Sequence, residues 1–400
     1  VSLDLRKERG VPLEKQQTDW KDLVQVPYSK LNDDAFTRVR VILMHGLEAE
    51  QQRFQHSMAR MDRDFRKELA LVRRVETFQQ IQTNWLTPAD QSPLETTLGY
   101  EQAAIEVTAE IARNEPDPYL AQVHRFGLLE DFDHLYRYAA LYDRLLGLDP
   151  NYIVQSYSDI APARPTRVHH RHPLDDLRRP YDRKSAAPLS KIQAYTIMAS
   201  EHQTRDFYMN IGPMFADPVA RQLYAEIAHV EEEHVTQYES IIDPDETWLE
   251  KWLLQQATEV YNYYSCYTYE THPRVKALWE KHLAWELGQM HFVADLFQRR
   301  ENRDAFEVLP EKLPEPMKFS EHREWIRQVI RDETDLRPHG EDFRHLADTP
   351  DSPRSVAYRE RLNAQGSPSD SVSGDYKWKP GTELVTEAQA ARAAVEGRLQ

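Results

Sequence analysis

Cysteine is almost absent: Cys266 is the single one in 400 residues. That excludes an intramolecular disulfide and any four-thiolate iron or zinc centre, so a metal here would be held mainly by oxygen and nitrogen. Glycine is scarce too, with 12 residues, and no Gly-rich phosphate loop, nucleophile elbow or Cys/His pair stands out. Nothing therefore points to nucleotide-dependent or Ser/Cys hydrolase chemistry. Long apolar runs are missing as well; none approaches the roughly 20 residues that span a bilayer, and no charged start with a short apolar core marks a signal peptide. Positive charge is in deficit, 50 Lys and Arg against 66 Asp and Glu, for a net −16. Such a surface repels phosphate backbones and anionic lipid, so neither nucleic acid nor membrane is an expected partner. The expectation is a cytoplasmic protein, with a small-molecule substrate or electron donor and a homo-oligomer both compatible.

What is present is helical periodicity. Apolar residues recur at helical spacing through long blocks such as 41–85, 95–114 and 191–212, an all-α signature. No low-complexity linker divides the chain, which predicts one large helical core with appendages. Residues 1–32 read as an N-terminal arm and 33–91 as two long helices, meeting near Met61 to Asp64, that pack on a bundle. A first helix pair spans 92–146, opened by Ser92-Pro93-Leu94-Glu95, a capping box with proline at the first helical position. Residues 147–190, rich in Pro, Arg, His and Asp, read as an irregular crossover, and 191–245 as a second pair. Additional helices are expected over 246–348 and a polar tail without a core of its own over 349–400, with Glu383 to Leu399 as a short terminal helix.

The two pairs are related by an internal repeat at an offset of 100 residues. Between positions 100 and 144 the identities are Glu101/Glu201, Ile111/Ile211, Asp117/Asp217, Pro118/Pro218, Gln122/Gln222, His134/His234, Tyr138/Tyr238 and Asp143/Asp243. Asp131/Glu231 is a chemically similar match. Asp117-Pro118 and Asp217-Pro218 read as helix starts, so each repeat is a helix, a short turn and a returning helix. Glu101 precedes its turn, and Asp131 follows it, by a dozen or so residues, which puts both roughly 20 Å from the turn end at 1.5 Å per residue. The same holds for Glu201 and Glu231. In each returning helix the acid, the histidine and Tyr138 or Tyr238 are spaced 0, 3 and 7, on one stripe.

Two such hairpins packed face to face bring four carboxylates and two imidazoles to one depth. Buried together, four carboxylates need compensating cations. Oxygen ligands with one imidazole per metal suit iron or manganese, whereas tetrahedral zinc would take fewer carboxylates. The predicted ligands are Glu101, Asp131, His134, Glu201, Glu231 and His234, for two metal ions, iron first and manganese as the alternative. Glu130 competes with Asp131 should the helix be rotated, and Glu106 with Glu101.

These residues resemble the ferritin-like di-iron carboxylate superfamily, whose bundle gives one Glu from each of two helices and a Glu-x-x-His from each of the other two. Glu231-Glu232-Glu233-His234 fits that motif, and Asp131-Phe132-Asp133-His134 fits it with a shorter acid. The resemblance covers residues 92–243 and implies a ferritin-like four-helix bundle with flanking helices and a long crossover. It implies an oxidoreductase activating oxygen or peroxide toward an unidentified substrate. The alternatives are a metal-binding or storage protein without an organic substrate, and a metal-free structural bundle. Tyr138 and Tyr238 are candidates to neighbour the ligands.

A third hairpin begins at His272-Pro273. Glu286 and Gln289 take the acid and histidine positions there, and Gln256 the first-helix position, so this copy is expected to lack a metal set. Its Trp248, Trp252, Trp279 and Trp285 suit packing on the bundle. His282, Glu286 and His291 form a weaker accessory candidate. The run His169-His170-Arg171-His172 reads as a solvated or substrate-facing loop.

Overall fold

The structure is a computed structural model that describes residues 2–30 and 34–380. Glu383 to Leu399, the expected terminal helix, lies outside the described residues. After the short α1 (Trp20–Leu23), two long helices follow, α2 (Ala35–Met61) and α3 (Arg66–Asn84). Then come α4 (Pro93–Asn114), α5 (Pro118–Leu146), the one-turn α6 (Asn151–Val154), α7 (Pro188–Ile211) and α8 (Pro218–Ser240). The second half adds α9 (Trp248–Tyr269), α10 (Pro273–Glu301), α11 (Arg323–Glu333), α12 (Pro353–Leu362) and α13 (Pro368–Ser373). One two-stranded hairpin, β1 (Leu336–His339) with β2 (Asp342–His345), interrupts the helical series, its turn made by Gly340 at φ +63°.

The helix starts are chemically marked. Ser92 and Glu95 close a capping box at α4, and Asp117 accepts hydrogen bonds from the amides of Tyr119 and Leu120 ahead of Pro118 in α5. Asp217 does the same for Ala220 in α8, and Thr247 with Glu250 boxes α9. Gly147, at φ +64°, ends α5 in the left-handed conformation that costs glycine little.

The long helices form antiparallel pairs, α2 with α3, α4 with α5, α7 with α8 and α9 with α10. The pairs α4–α5 and α7–α8 make one four-helix bundle. The other pairs, drawn from the two ends of the chain, make a second: Gln79 on α3 donates to Glu286 on α10 at 2.6 Å, and Gln55 on α2 lies 3.3 Å from Glu76 on α3. The two bundles stand back to back, because α2 packs on α4 and α7, and α9 packs on α7. One apolar core runs through this shared wall, with Leu43 and Leu47 of α2, Tyr100 and Val107 of α4, Ile197 of α7 and Val260 of α9.

The arm and the described part of the tail are more integrated than their composition predicts. The arm buries Leu5 fully, and Val11 donates its amide to Ala284 of α10 at 2.7 Å. Its approach is so close that a Cβ on Gly288 would stand 1.8 Å from the Val11 carbonyl oxygen, so α10 needs glycine there. The tail beyond 349 docks α13 on α5 and α8: Arg137 bonds the Ser373 hydroxyl, and Glu226 accepts from the Ser367 hydroxyl at 2.7 Å and the Ser369 amide at 2.7 Å. Val372 enters the core there as well, with Tyr376 and Trp378 packed against it, so the tail docks through both polar anchors and apolar contacts.

Candidate metal centre

All six sequence-derived residues come together inside the first bundle. Glu101 extends from α4, Asp131 and His134 from α5, Glu201 from α7, and Glu231 and His234 from α8, none more than 1% exposed. Their potential ligand atoms form two sets, each within 4.8 Å of one another: Glu101, His134 and Glu231, and Asp131, Glu201, Glu231 and His234. Glu231 belongs to both. Its Oε1 lies 3.1 Å from His134 Nδ1 and its Oε2 3.1 Å from His234 Nδ1, so one carboxylate spans the two imidazoles. Asp131, with its shorter side chain, reaches only the second set, 3.3 Å from His234 Nδ1, with Glu201 beside it at 3.4 Å.

His234 Nδ1 bears at most one proton, and Glu231 is its nearest acceptor. Both oxygens of Asp131, both of Glu201 and Oε2 of Glu101 are buried without a hydrogen-bond partner. Burial, reinforced by the neighbouring carboxylates, pushes Glu101 and Glu201 well above the ordinary carboxyl range. Unpaired buried carboxylates are costly, and either protons or cations must neutralise them. Two divalent cations would balance the four carboxylates and fit the orphaned oxygens.

The surrounding groups fix the imidazoles. His234 Nε2 lies 2.8 Å from Glu130 Oε2, which directs Nδ1 inward. Glu130, the alternative to Asp131, is thus behind the site, held by Arg164 and Arg171 at 2.9 Å each. His134 Nε2 faces His169 Nδ1 at 3.3 Å, and His169 Nε2 donates to the Arg164 carbonyl at 2.6 Å. Burial keeps His169 neutral, so its Nδ1 accepts, His134 donates from Nε2, and His134 Nδ1 keeps its lone pair for the site. Glu106, the competitor of Glu101, is elsewhere: it accepts from Ser158 at 2.6 Å and pairs with His322 at 2.9 Å.

Several expectations are corrected. The run 169–172 is no solvated loop, since His169, His170 and Arg171 are at most 2% exposed and wedge the crossover against α5 and α8. Asp133 anchors that crossover, accepting from the Thr166 amide and hydroxyl at 2.7 Å each. The tyrosine that touches a site carboxylate is Tyr208, which donates to Glu101 Oε1 at 2.5 Å. Of the two expected neighbours, Tyr238 does lie against a site residue, meeting the His234 ring edge-on with its hydroxyl over Gly127, and Tyr138 packs on Tyr208 and Tyr224; neither hydroxyl has a hydrogen-bond partner. The accessory set does not converge, because His282 bonds Tyr263 and Gln82 while His291 bonds Arg9 and the Glu8 carbonyl.

Tyr208 and Tyr224 also form part of the wall of a cleft of about 710 Å³ between α7 and α8, shared with Met209, Gly212, Ala225 and Ala228. One aromatic layer separates this cleft from Glu101. Among the described residues no helix is long and apolar enough to cross a membrane. Comparisons with protein-family models, with curated proteins and with solved structures find no match to the chain.

Proposed function

We propose that this chain is a ferritin-like two-metal carboxylate protein, iron being the first expectation and manganese the second, that acts as an oxidoreductase on oxygen or peroxide and a small organic substrate. The observation that carries the reading is the double reach of Glu231, one oxygen toward each inward-facing imidazole nitrogen. When bound, a redox-active pair supplies electrons and Lewis acidity. The six residues would hold the ions, while the protein fixes the imidazole tautomers through Glu130 and His169 and holds one oxygen of Glu101 through Tyr208. The remaining orphaned oxygens stay free to ligate. The cleft against Tyr208 and Tyr224 is where an organic substrate would bind, with the tyrosine layer keeping bulk water from the carboxylates.

A second reading, a centre that holds metal without an organic substrate, draws on the enclosure of all six residues. Metal analysis of protein produced with iron and manganese supplied tests the centre itself. About two equivalents are expected, falling in Glu231→Gln and His234→Ala. A metal content indifferent to both substitutions would return the bundle to a metal-free structural role. Ala225→Trp, which fills the exposed side of the cleft, separates the other two readings. It should lower substrate-dependent oxygen uptake by the reduced protein while metal content stays constant; uptake unaffected by both substrate and substitution favours simple metal holding.

A further inference from the structure

The second bundle contains a carboxylate cluster that the centre described above does not use. Glu48 of α2, Glu76 of α3, Glu259 of α9 and Glu286 of α10 are each at most 1% exposed, and one ligand atom from each lies within 4.8 Å of the others. The arrangement repeats the logic of the first centre. Two carboxylates come from the first helices of their pairs, and the other two stand in Glu76-x-x-Gln79 and Glu286-x-x-Gln289 on the returning helices. Glutamine occupies both positions that histidine holds in the first bundle. A tyrosine again holds the leading glutamate, as Tyr263 donates to Glu48 Oε1 at 2.5 Å. The sequence offered Gln256 as the first-helix group; Glu259, one turn later, is the carboxylate that enters the cluster.

A group of buried acids alone proves little, and a second feature points to a ligand. Glu48 Oε2, Glu76 Oε2 and Glu259 Oε1 have no hydrogen-bond partner, nor do the amide oxygens of the fully buried Gln256 and Gln289. Gln256 directs its nitrogen at Glu259, 2.9 Å, and Glu286, 3.2 Å, and Gln289 directs its own at Gln79 Oε1, 2.7 Å, and Glu286, 3.1 Å. Turning either amide over exchanges nitrogen for oxygen and would present a neutral carbonyl ligand to the same point. His282, which shares Tyr263 with the cluster, is kept neutral by burial and bonds Tyr263 and Gln82 instead.

We propose that Glu48, Glu76, Glu259 and Glu286, with the amide oxygens of Gln256 and Gln289, form a second metal site selective for a hard divalent cation of the manganese or calcium type. The donor set is oxygen alone, which suits these cations and magnesium, whereas iron and zinc sites commonly draw on imidazole. Magnesium dehydrates reluctantly and usually keeps several waters. A cluster closed by seven buried side chains, Gln79 included, favours a cation that accepts a shell made entirely by protein.

The test uses the full-length chain, stripped of metal by chelator, with the first centre disabled by Glu201→Gln, Glu231→Gln and His234→Ala, which remove its carboxylate ligands as well as an imidazole. Manganese titration followed by electron paramagnetic resonance should still show bound Mn²⁺, displaced by Ca²⁺. Adding Glu259→Gln and Glu286→Gln, which preserve shape, should weaken this binding at least about tenfold, the smaller loss that even outer-shell partners of a metal produce. No bound Mn²⁺ in the first-centre variant, or binding indifferent to the two glutamate substitutions, would overturn the site. Should those substitutions prevent folding, Gln79→His with Gln289→His on the same background gives an independent reading. It should turn the preference from Ca²⁺ toward Zn²⁺, and an unchanged preference would overturn the proposal as well. Because the first centre is silent throughout, failure here leaves the two-metal reading of that centre standing.

Discussion

A histidine ligates through whichever ring nitrogen its other nitrogen leaves free, so the chemistry of His134 and His234 is decided by Glu130 and His169. The six site residues themselves were legible because a 0, 3 spacing on a helix is a local property, and the repeat set their depth. Their supporting groups were not: Tyr208 and His169 lie far along the chain, and no spacing announces them. Glu130 shows the limit well, since it adjoins Asp131 in sequence yet turns a different face, toward Arg164 and Arg171. His169→Ala leaves His134 Nε2 without its acceptor. Stepwise metal titration should show one of two equivalents weakened about 10–100-fold, the usual cost of losing such a partner, and the equivalent served by His234 unaffected. Equal weakening of both, or of neither, would contradict the tautomer chain.

At the scale of elements, helix starts were readable wherever a cap and a proline coincide, as at Ser92, Asp117 and Asp217. The docking of α11 was not readable, because it depends on contacts between distant segments: Ile326 and Val329 are buried against the first bundle, and Glu333 pairs with Arg125 of α5. His322, just ahead of α11, lies 2.9 Å from Glu106 and 2.8 Å from Glu110 on α4. Burial disfavours its charged form, but hydrogen bonds to the two carboxylates outweigh it and raise the imidazole above its ordinary value of 6.5. A folded-state value above the unfolded one gives stability that is fully present below pH 6.5 and is lost as pH rises through the raised value. His322→Ala should therefore cost about 1.5–3 kcal/mol at pH 6, with the gap to the parent protein narrowing at alkaline pH. Denaturant titrations at the two pH values measure it; a gap that widens with pH would refute the assignment.

At the scale of the molecule, the second bundle is assembled from residues 35–84 and 248–301, so the first bundle is in effect inserted within it. The core shared through α2, α4, α7 and α9 makes independent unfolding of either bundle expensive, because each would expose its half of that wall. Calorimetry of the full chain should show one main transition, and two transitions well separated in temperature would show the bundles to be uncoupled. Deleting α2 and α3 should likewise destabilise the first bundle, although its six site residues remain in place.

The sequence by itself determined the helical class, the caps, the crossover and the six residues that meet in the first bundle. Periodicity, capping and a 100-residue repeat are all properties of neighbours or of a fixed register. Tertiary structure alone decided which hairpin pairs with which. It put the third hairpin against α2 and α3, gathered Glu48 and Glu76 with Glu259 and Glu286, and buried the histidine run that composition marks as polar surface. The physical reason is that burial of a charged side chain depends on partners arriving from elsewhere in the chain. Glu130 with Arg164 and Arg171, and His322 with Glu106 and Glu110, are stable inside because both members are present, and no single segment carries both.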